Sequence, residues 1–155
     1  MRPRVRKLYS TVFLTALIVI SACTNQKPKP IDVGQDNCAY CKMGITDPRF
    51  ASELITSKGK VYKFDAIECL VAYYQELGSS EQNNTKLWVH DFLQPERWLS
   101  AKNALFMRSS EIHSPMSLNL LAVANDSERV KVQQQFEAES INWKDLLDYV
   151  DKNMQ

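Results

Sequence analysis

Residues 49–78 read R-F-A-S-E-L-I-T-S-K-G-K-V-Y-K-F-D-A-I-E-C-L-V-A-Y-Y-Q-E-L-G, the stretch that most clearly indicates how this chain folds. The segments Arg49–Thr56 and Lys60–Asp65 contain residues typical of strands and flank a short polar turn with a glycine, which predicts a β-hairpin. Apolar residues at helical spacing then predict a helix over Ala66–Leu77. Asp65 stands where a helix N-cap is expected, because its carboxylate could accept from the first free backbone N–H groups. The stretch predicts a ββα unit.

The rest of the chain repeats this layout in outline. Three more strands and two more helices are predicted, and the first two of these strands, separated by a turn, are expected to pair with each other. The order predicts an α+β fold built from two small ββα-type units. The further strands are Lys86–Asp91, Ala104–Met107 and Leu118–Val123, and the further helices are Asp126–Glu139 and Ile141–Val150.

The first residues have the pattern of a targeting segment and are left out of the fold. Four basic residues precede an apolar stretch, residues 12–20, that is too short for a membrane-spanning helix. The stretch ends in Ile20-Ser21-Ala22-Cys23, the lipobox pattern of bacterial lipoprotein signal peptides. We therefore predict a signal peptide over residues 1–22 and a lipid on Cys23.

The mature chain is expected to consist of a lipidated tether, residues 23–36, and one domain, residues 37–155. The tether is polar and contains prolines. An acylated Cys23 would hold the protein at a bacterial membrane surface outside the cytoplasm. Loss of the four basic residues of the signal peptide changes the formal net charge from +1 to −3. No basic run follows the signal, so nucleic-acid binding has no support.

The cysteine count favours a soft metal. If Cys23 is acylated, three thiols remain, namely Cys38, Cys41 and Cys69. In an extracytoplasmic compartment an odd number leaves at least one thiol outside any internal disulfide. Coordination of a soft metal is one use for such a thiol, although Cys69, alone on an apolar helix, is expected to be a core residue.

The strongest local signal is C-A-Y-C-K-M, which places Cys38, Cys41 and Met43 within six residues. Thiolate and thioether are soft donors that suit Cu(I). Zinc would need two further ligands, and a thioredoxin-like motif would need the cysteines to open a helix in a βαβ unit. Core packing of Met43 and a simple Cys38–Cys41 disulfide remain the alternatives.

A second soft donor set lies in H-S-P-M, residues 113–116. Pro115 favours a loop, and a rigid loop can project His113 and Met116 toward a metal. Cys41, Met43 and Met116, with His113, would form an open Cu(I) site. The alternative for His113 is a solvated loop residue.

With these motifs the sequence resembles the NosL family, which consists of lipoprotein accessory factors for nitrous oxide reductase. The resemblance rests on motifs in the family's order over essentially the whole mature chain. They are Cys38-Ala-Tyr-Cys-Lys-Met-Gly-Ile, Phe50-Ala, Lys63-Phe64-Asp65, Trp88-Val89-His90-Asp91, Trp98-Leu-Ser-Ala101 with Ala104, and Ser114-Pro115-Met116.

The resemblance implies a periplasmic protein that binds Cu(I) and delivers copper to nitrous oxide reductase or its copper-assembly machinery, in denitrification. It implies copper ligation by Cys41 and Met43, with Met116 as the later methionine. Cys38 occurs in only some members, and the loop here carries His113 where the family is often glycine-rich. The implied fold is similar to that of organomercurial lyases, with two small ββα-type units.

An enzyme is the alternative class, although a chaperone without catalytic activity is the expectation. Thiols that converge with an acid, for which Asp65 is the candidate, could cleave a carbon–metal bond or exchange disulfides. The prominence of methionine argues against this reading, because a thioether supplies neither the proton nor the thiolate that these reactions need. A third possibility is a surface lipoprotein in which a Cys38–Cys41 disulfide only staples the domain.

Overall fold

The computed structural model describes residues 26–154. The predicted signal peptide and Cys23 lie outside the described residues. Two antiparallel sheets and four helices make up this part of the chain. The strands are β1 (Ser52–Ile55), β2 (Val61–Phe64), β3 (Lys86–His90), β4 (Trp98–Ser100), β5 (Leu105–Arg108), β6 (Leu120–Val123) and β7 (Glu139–Ile141), and the helices are α1 (Ile67–Glu76), α2 (Ser79–Gln82), α3 (Asp126–Phe136) and α4 (Trp143–Asn153).

The two predicted ββα-type units are confirmed. In the first, β1 and β2 form the hairpin and α1 follows it, while β3 and β4 extend the sheet to the order β2-β1-β3-β4. In the second, β5 and β6 pair and α3 follows, with β7 completing the order β6-β5-β7. Gly59, at φ +81°, provides the left-handed residue in the turn of the first hairpin.

One predicted strand pairing is wrong, and two short strands were not predicted. The strand that begins at Lys86 does not pair with the one at residues 105–108; it pairs with β1 and with β4, a strand that was not predicted. The strand β7 was also missed. Both missed strands have only three residues, too few to show an alternating pattern.

The main core lies between the two sheets and the helices α1 and α4. One face of the four-stranded sheet, with Leu54, Phe64 and Val89, packs on α1, and one face of the second sheet, with Phe106, joins the same core. The other face of the second sheet packs on α3 through residues such as Met107. Burial of each such side chain stabilises the fold by roughly 1.5–3 kcal/mol, so α1 is held firmly in place.

A buried ion network joins the two units. The Asp91 carboxylate is fully buried, accepts from backbone N–H groups of the following turn, and contacts the guanidinium of Arg97. Arg97 also lies 2.5 Å from Glu128 at the start of α3. The connection between β3 and β4 is thereby attached to the second unit.

In the part of the chain that the structure describes, no helix has the length and apolar character to cross a membrane.

Candidate metal centre

The segment that carries Cys38 and Cys41 is a tight loop attached to the edge of the first sheet. A backbone bridge between Asn37 and Gly44 closes the loop, and Cys38 N donates to Met43 O at 2.8 Å. Lys42, at φ 68°, makes the turn in the left-handed region. The loop is fastened to β2 because its backbone at Ala39 donates to Lys63 O at 2.7 Å. We call residues 37–44 the cysteine loop.

Four potential ligands converge beneath this loop. One donor atom from each of Cys38, Cys41, Asp65 and Cys69 lies within 4.8 Å of every other. The cysteine loop contributes two of them, the end of β2 contributes Asp65, and the first turn of α1 contributes Cys69. Cys38, Asp65 and Cys69 are buried, whereas Cys41 is partly exposed. The cluster is therefore closed on the helix side and open at Cys41.

Asp65 is not the N-cap of α1, and that prediction is wrong. Ala66 occupies the cap position, and no side chain caps the helix there. The Asp65 carboxylate instead faces the cysteine loop, with both oxygens 3.5 Å from Cys41 Sγ. The packing of the loop against β2 places a thiol within reach of this carboxylate.

Cys69 is a member of the cluster that was not predicted as a ligand. It is a buried residue in contact with the core, as expected, but its sulfur also lies among the other donors. One signal could have identified it: Cys69 follows Asp65 by only four residues and lies in the first turn of the helix, so the two side chains start close together in space. The short separation along the chain brings two potential ligands near each other.

The three thiols have different proton affinities. A hydrogen bond from Cys69 is the largest reason that the pKa of the Cys38 thiol falls from 9.0 to about 6. Burial is the largest reason that the pKa of Cys41 rises from 9.0 to about 11. The pKa of Cys69 is raised, first by donation to Cys38 and then by burial. Near neutral pH one thiolate therefore lies beside two protonated thiols, and a bound soft cation would displace their protons.

The predicted methionine ligands differ in their exposure. Met43 is 46% exposed, and its backbone N–H is directed to the sulfur of Cys41. Met116 is partly buried against the core cluster that contains Cys38 and Cys69. His113 is exposed and is not one of the four converging donors. The roles of Met43, Met116 and His113 in metal binding therefore stay predictions.

The loop that carries Met116 is attached to α1 by a buried polar contact. The hydroxyl of Ser114 donates to the Glu68 carboxylate, and Glu68 immediately precedes Cys69. Ser114 Oγ also accepts from Asn119 N at 2.9 Å, which closes the loop. Because this anchor lies next to Cys69, it brings the loop to the helix that carries one of the thiols.

The donor set suits a soft cation. Three sulfur donors can satisfy Cu(I), which needs two to four soft ligands. The exposed residue Met43 is two residues from the partly exposed Cys41 in the cysteine loop. The carboxylate of Asp65 is a harder donor that can hold a thiol in orientation or complete a four-coordinate site.

Comparisons with known proteins bear on the family and the fold. The search among curated proteins found no match at the significance required. The fold resembles the crystal structure of the copper chaperone NosL from Shewanella denitrificans, with a TM-score of 0.65 and 19% sequence identity over 77% of this chain and 94% of that chain. At this identity the likeness establishes the fold. The sequence model of the NosL family matches residues 30–148, most of the chain. The chain therefore belongs to the NosL family.

Proposed function

We propose that this protein is a periplasmic Cu(I) chaperone, tethered to a membrane by an acyl group on Cys23, that supplies copper for the copper centres of nitrous oxide reductase. The convergence of the Cys38, Cys41 and Cys69 sulfurs within 4.8 Å is the observation that carries the copper-binding part. Thiolates prefer Cu(I) to harder cations. Family membership and the fold shared with a copper chaperone support the same reading.

The exposure of the donors suits transfer of the metal. A site closed on all sides by protein retains its ion, whereas a partner can replace ligands on an accessible side. Cys41 is partly exposed and Met43 is 46% exposed, while Cys38 and Cys69 are buried behind them. We infer that copper enters and leaves at Cys41 and Met43.

The other predicted ligands have separate roles in this proposal. Met116, on the loop attached to Glu68, supplies a thioether when copper is bound, and His113 adds an imidazole if the loop turns inward. Cys38 and Cys69 hold the ion from the helix side. Asp65 orients Cys41 through the contacts of its two oxygens.

Anaerobic titration with Cu(I) against a competing chelator tests the binding. We expect a single Cu(I) per monomer, and we expect Cys41→Ser and Met43→Ala to weaken binding at least roughly tenfold each, because each removes a soft donor. Met107→Leu, a conservative change in β5 away from the cluster, is the matched control. Wild-type affinity in both site variants would refute the proposal, and X-ray absorption would count sulfur against nitrogen and oxygen donors.

Delivery needs a test of its own. Copper-loaded protein mixed with copper-free nitrous oxide reductase and its assembly machinery should lose its metal to them, and loaded Cys41→Ser protein should not. If free Cu(I) loaded the copper-free reductase as well as the copper-loaded protein does, the chaperone would not be required.

One observation favours a second function, cleavage of a carbon–mercury bond. Such an enzyme needs thiolates and an acid in one place, and Asp65 lies 3.5 Å from Cys41 with two more thiols nearby. The sulfurs would bind the mercury while a protonated carboxyl gives its proton to carbon, so that a C–H bond replaces the C–Hg bond. Release of benzene from a phenylmercury salt, lost in Asp65→Asn, would establish this activity; absence of turnover would exclude it for that substrate.

A further inference from the structure

The segment Gln26–Pro30, which we call the strap, crosses the outer face of the four-stranded sheet, opposite α1. Three side chains under it form a row across adjacent strands, since Glu53 pairs with both Lys63 and Trp88. Trp88 Nε1 donates to Gln26 O at 3.1 Å, Lys29 N donates to Glu53 Oε2 at 2.9 Å, and Lys63 Nζ donates to Pro30 O at 2.8 Å. Each of the three strands β3, β1 and β2 therefore holds the strap once.

The dimensions show that the strap is long enough to cross three strands. Three adjacent strands span two spacings, roughly 10 Å in all. The four steps from Gln26 to Pro30 reach at most about 14 Å when fully extended. The strap can therefore bridge its two end contacts, and its three hydrogen bonds, taken in order, set its path from β3 to β2.

This attachment shortens the connection to the predicted lipid. Thirteen residues separate Cys23 from the domain at residue 37, and a free linker of that length would have an end-to-end distance of about 20 Å. With the strap in place, Cys23 is three residues from Gln26, so their Cα atoms are at most about 11 Å apart. An acyl group on Cys23 would bring β3 to the level of the lipid headgroups.

The sheet face at that point carries side chains suited to a membrane interface. Trp98 pairs across the strands with His90, two residues from Trp88, so both tryptophans lie on the outer face. Both are partly exposed. Tryptophan is favoured at headgroup depth because it combines an apolar ring with a polar N–H. Lys86 on the same face and Lys29 in the strap are exposed cations that suit anionic headgroups.

We propose that this outer face, around Trp88 and Trp98, lies on the membrane interface when Cys23 is acylated. The inference rests on the lipid anchor of the proposed function and adds an orientation to it. The strand order β2-β1-β3-β4 puts the tryptophans toward one edge of the sheet, and the cysteine loop is fastened to β2 at the other edge. In this orientation the copper site lies away from Gln26, the end of the strap that leads to the lipid, and stays accessible to a partner.

Fluorescence quenching by brominated lipids tests the orientation. A chain that begins at Cys23 is acylated on its N-terminal cysteine by thioester ligation, which is specific for that position. Three variants each keep one tryptophan, with the other two changed to Phe, and are bound to vesicles of phosphatidylcholine and phosphatidylglycerol with brominated acyl chains. Trp143 is the matched control, because it packs against Phe106 and Tyr74 on the core side.

We expect a roughly twofold or greater loss of emission from Trp88 and from Trp98, and little loss from Trp143, since quenching requires proximity to the acyl chains. The variant that keeps Trp88 also keeps its hydrogen bond to the strap, so a loosened strap cannot explain its result. Equal quenching of all three tryptophans, or none at Trp88 and Trp98, would overturn the orientation and leave copper binding untouched. Mass spectrometry of the protein from cell membranes examines the anchor separately, and an unacylated Cys23 would overturn both the anchor and the orientation.

Discussion

In both ββα units the helix follows the second strand of the hairpin after a few residues. The residues at the start of the helix have different roles in the two units. In α3 the cap residue Asn125 accepts from Glu128 N at 3.1 Å, and Glu128 accepts from Ala124 N at 3.0 Å. This reciprocal pair stabilises the start of the helix in the manner of a capping box.

In α1 the equivalent positions do not cap the helix. The cap residue is Ala66, the residue before it is Asp65, and the position that corresponds to Glu128 is Cys69. Asp65 and Cys69 instead face the cysteine loop as potential ligands. The comparison shows that the first unit lacks a cap, usually about 1 kcal/mol, at the place where Asp65 and Cys69 face the cysteine loop, whereas the second unit has one.

The largest effect is expected from Cys69→Ser. Loss of a buried sulfur donor should lower the affinity for Cu(I) about 100-fold or more, because serine is a poor ligand for a soft cation. Competition with a Cu(I) chelator measures the change. Glu128→Gln, at the corresponding position of α3, is the matched control and should bind copper like the wild type; if Cys69→Ser also did so, the two helix starts would not differ in the way described.

Arg97→Ala should destabilise the protein by about 2–4 kcal/mol, because it leaves the buried Asp91 carboxylate without its cation. Urea unfolding measures this loss. Asp91→Asn combined with Arg97→Ala removes the charge as well and should recover part of the stability. The affinity for copper should be unchanged in the folded protein, since the network lies at the connection between β3 and β4, whereas the cysteine loop is fastened to β2.

The first unit also carries a buried carboxyl group, Glu53. Its pKa is raised from 4.5 to about 7, mainly by burial. Lys29 and Lys63 lower this pKa, and Asp36 raises it further. Between pH 4.5 and 7 the unfolded chain releases this proton before the native state does, so the contribution of Glu53 to stability falls as pH rises through that window. Glu53→Gln keeps an acceptor for Lys29 N. At pH 8 it should increase the free energy of unfolding by about 2 kcal/mol relative to the wild type, which thermal unfolding detects as a higher melting temperature. At pH 4.5 it should change the stability little. The same difference at both pH values would contradict the assignment.

The smallest effects are expected from single substitutions at the start of each helix. Asn125→Ala should cost about 1 kcal/mol of stability and leave copper binding unchanged, because it removes a cap. Asp65→Asn should leave stability nearly unchanged and weaken copper binding roughly tenfold, because it removes a charged partner of Cys41. Thermal unfolding and chelator competition on both variants give the four values, and a stability loss in Asp65→Asn equal to that in Asn125→Ala would show that Asp65 also supports the helix.

Local patterns were enough to predict most of the fold. The hairpin and α1 followed from β-prone segments around a glycine turn and from apolar residues at helical spacing, and the repeat of the layout identified the second unit. The three-residue strands β4 and β7 could not be recognised in this way. Their pairing depends on backbone hydrogen bonds with strands distant in the sequence, and three residues carry no periodic signal.

The candidate site was predicted in part. The spacing of Cys38, Cys41 and Met43 indicated soft-metal chemistry, and two of these residues lie in the cluster. Cys69 was assigned to the core because a single thiol on an apolar helix is usually buried, which it is. Asp65 was predicted as a cap because its position beside a helix favours that role, and the enzyme alternative named it as the acid that would converge with the thiols. The core and cap predictions considered each residue with its sequence neighbours alone.

The sequence by itself determined the two ββα patterns, the sulfur motif and the expectation of a lipid anchor, because each depends on residues close together in the chain. Only the tertiary structure decided that Asp65 and Cys69 meet the cysteine loop and that Gln26–Pro30 is bound to the sheet. Those contacts depend on backbone and side-chain hydrogen bonds between distant segments, such as that from Ala39 to Lys63. A local sequence pattern shows which chemical groups are present, whereas packing between segments distant in the sequence determines which groups come into contact.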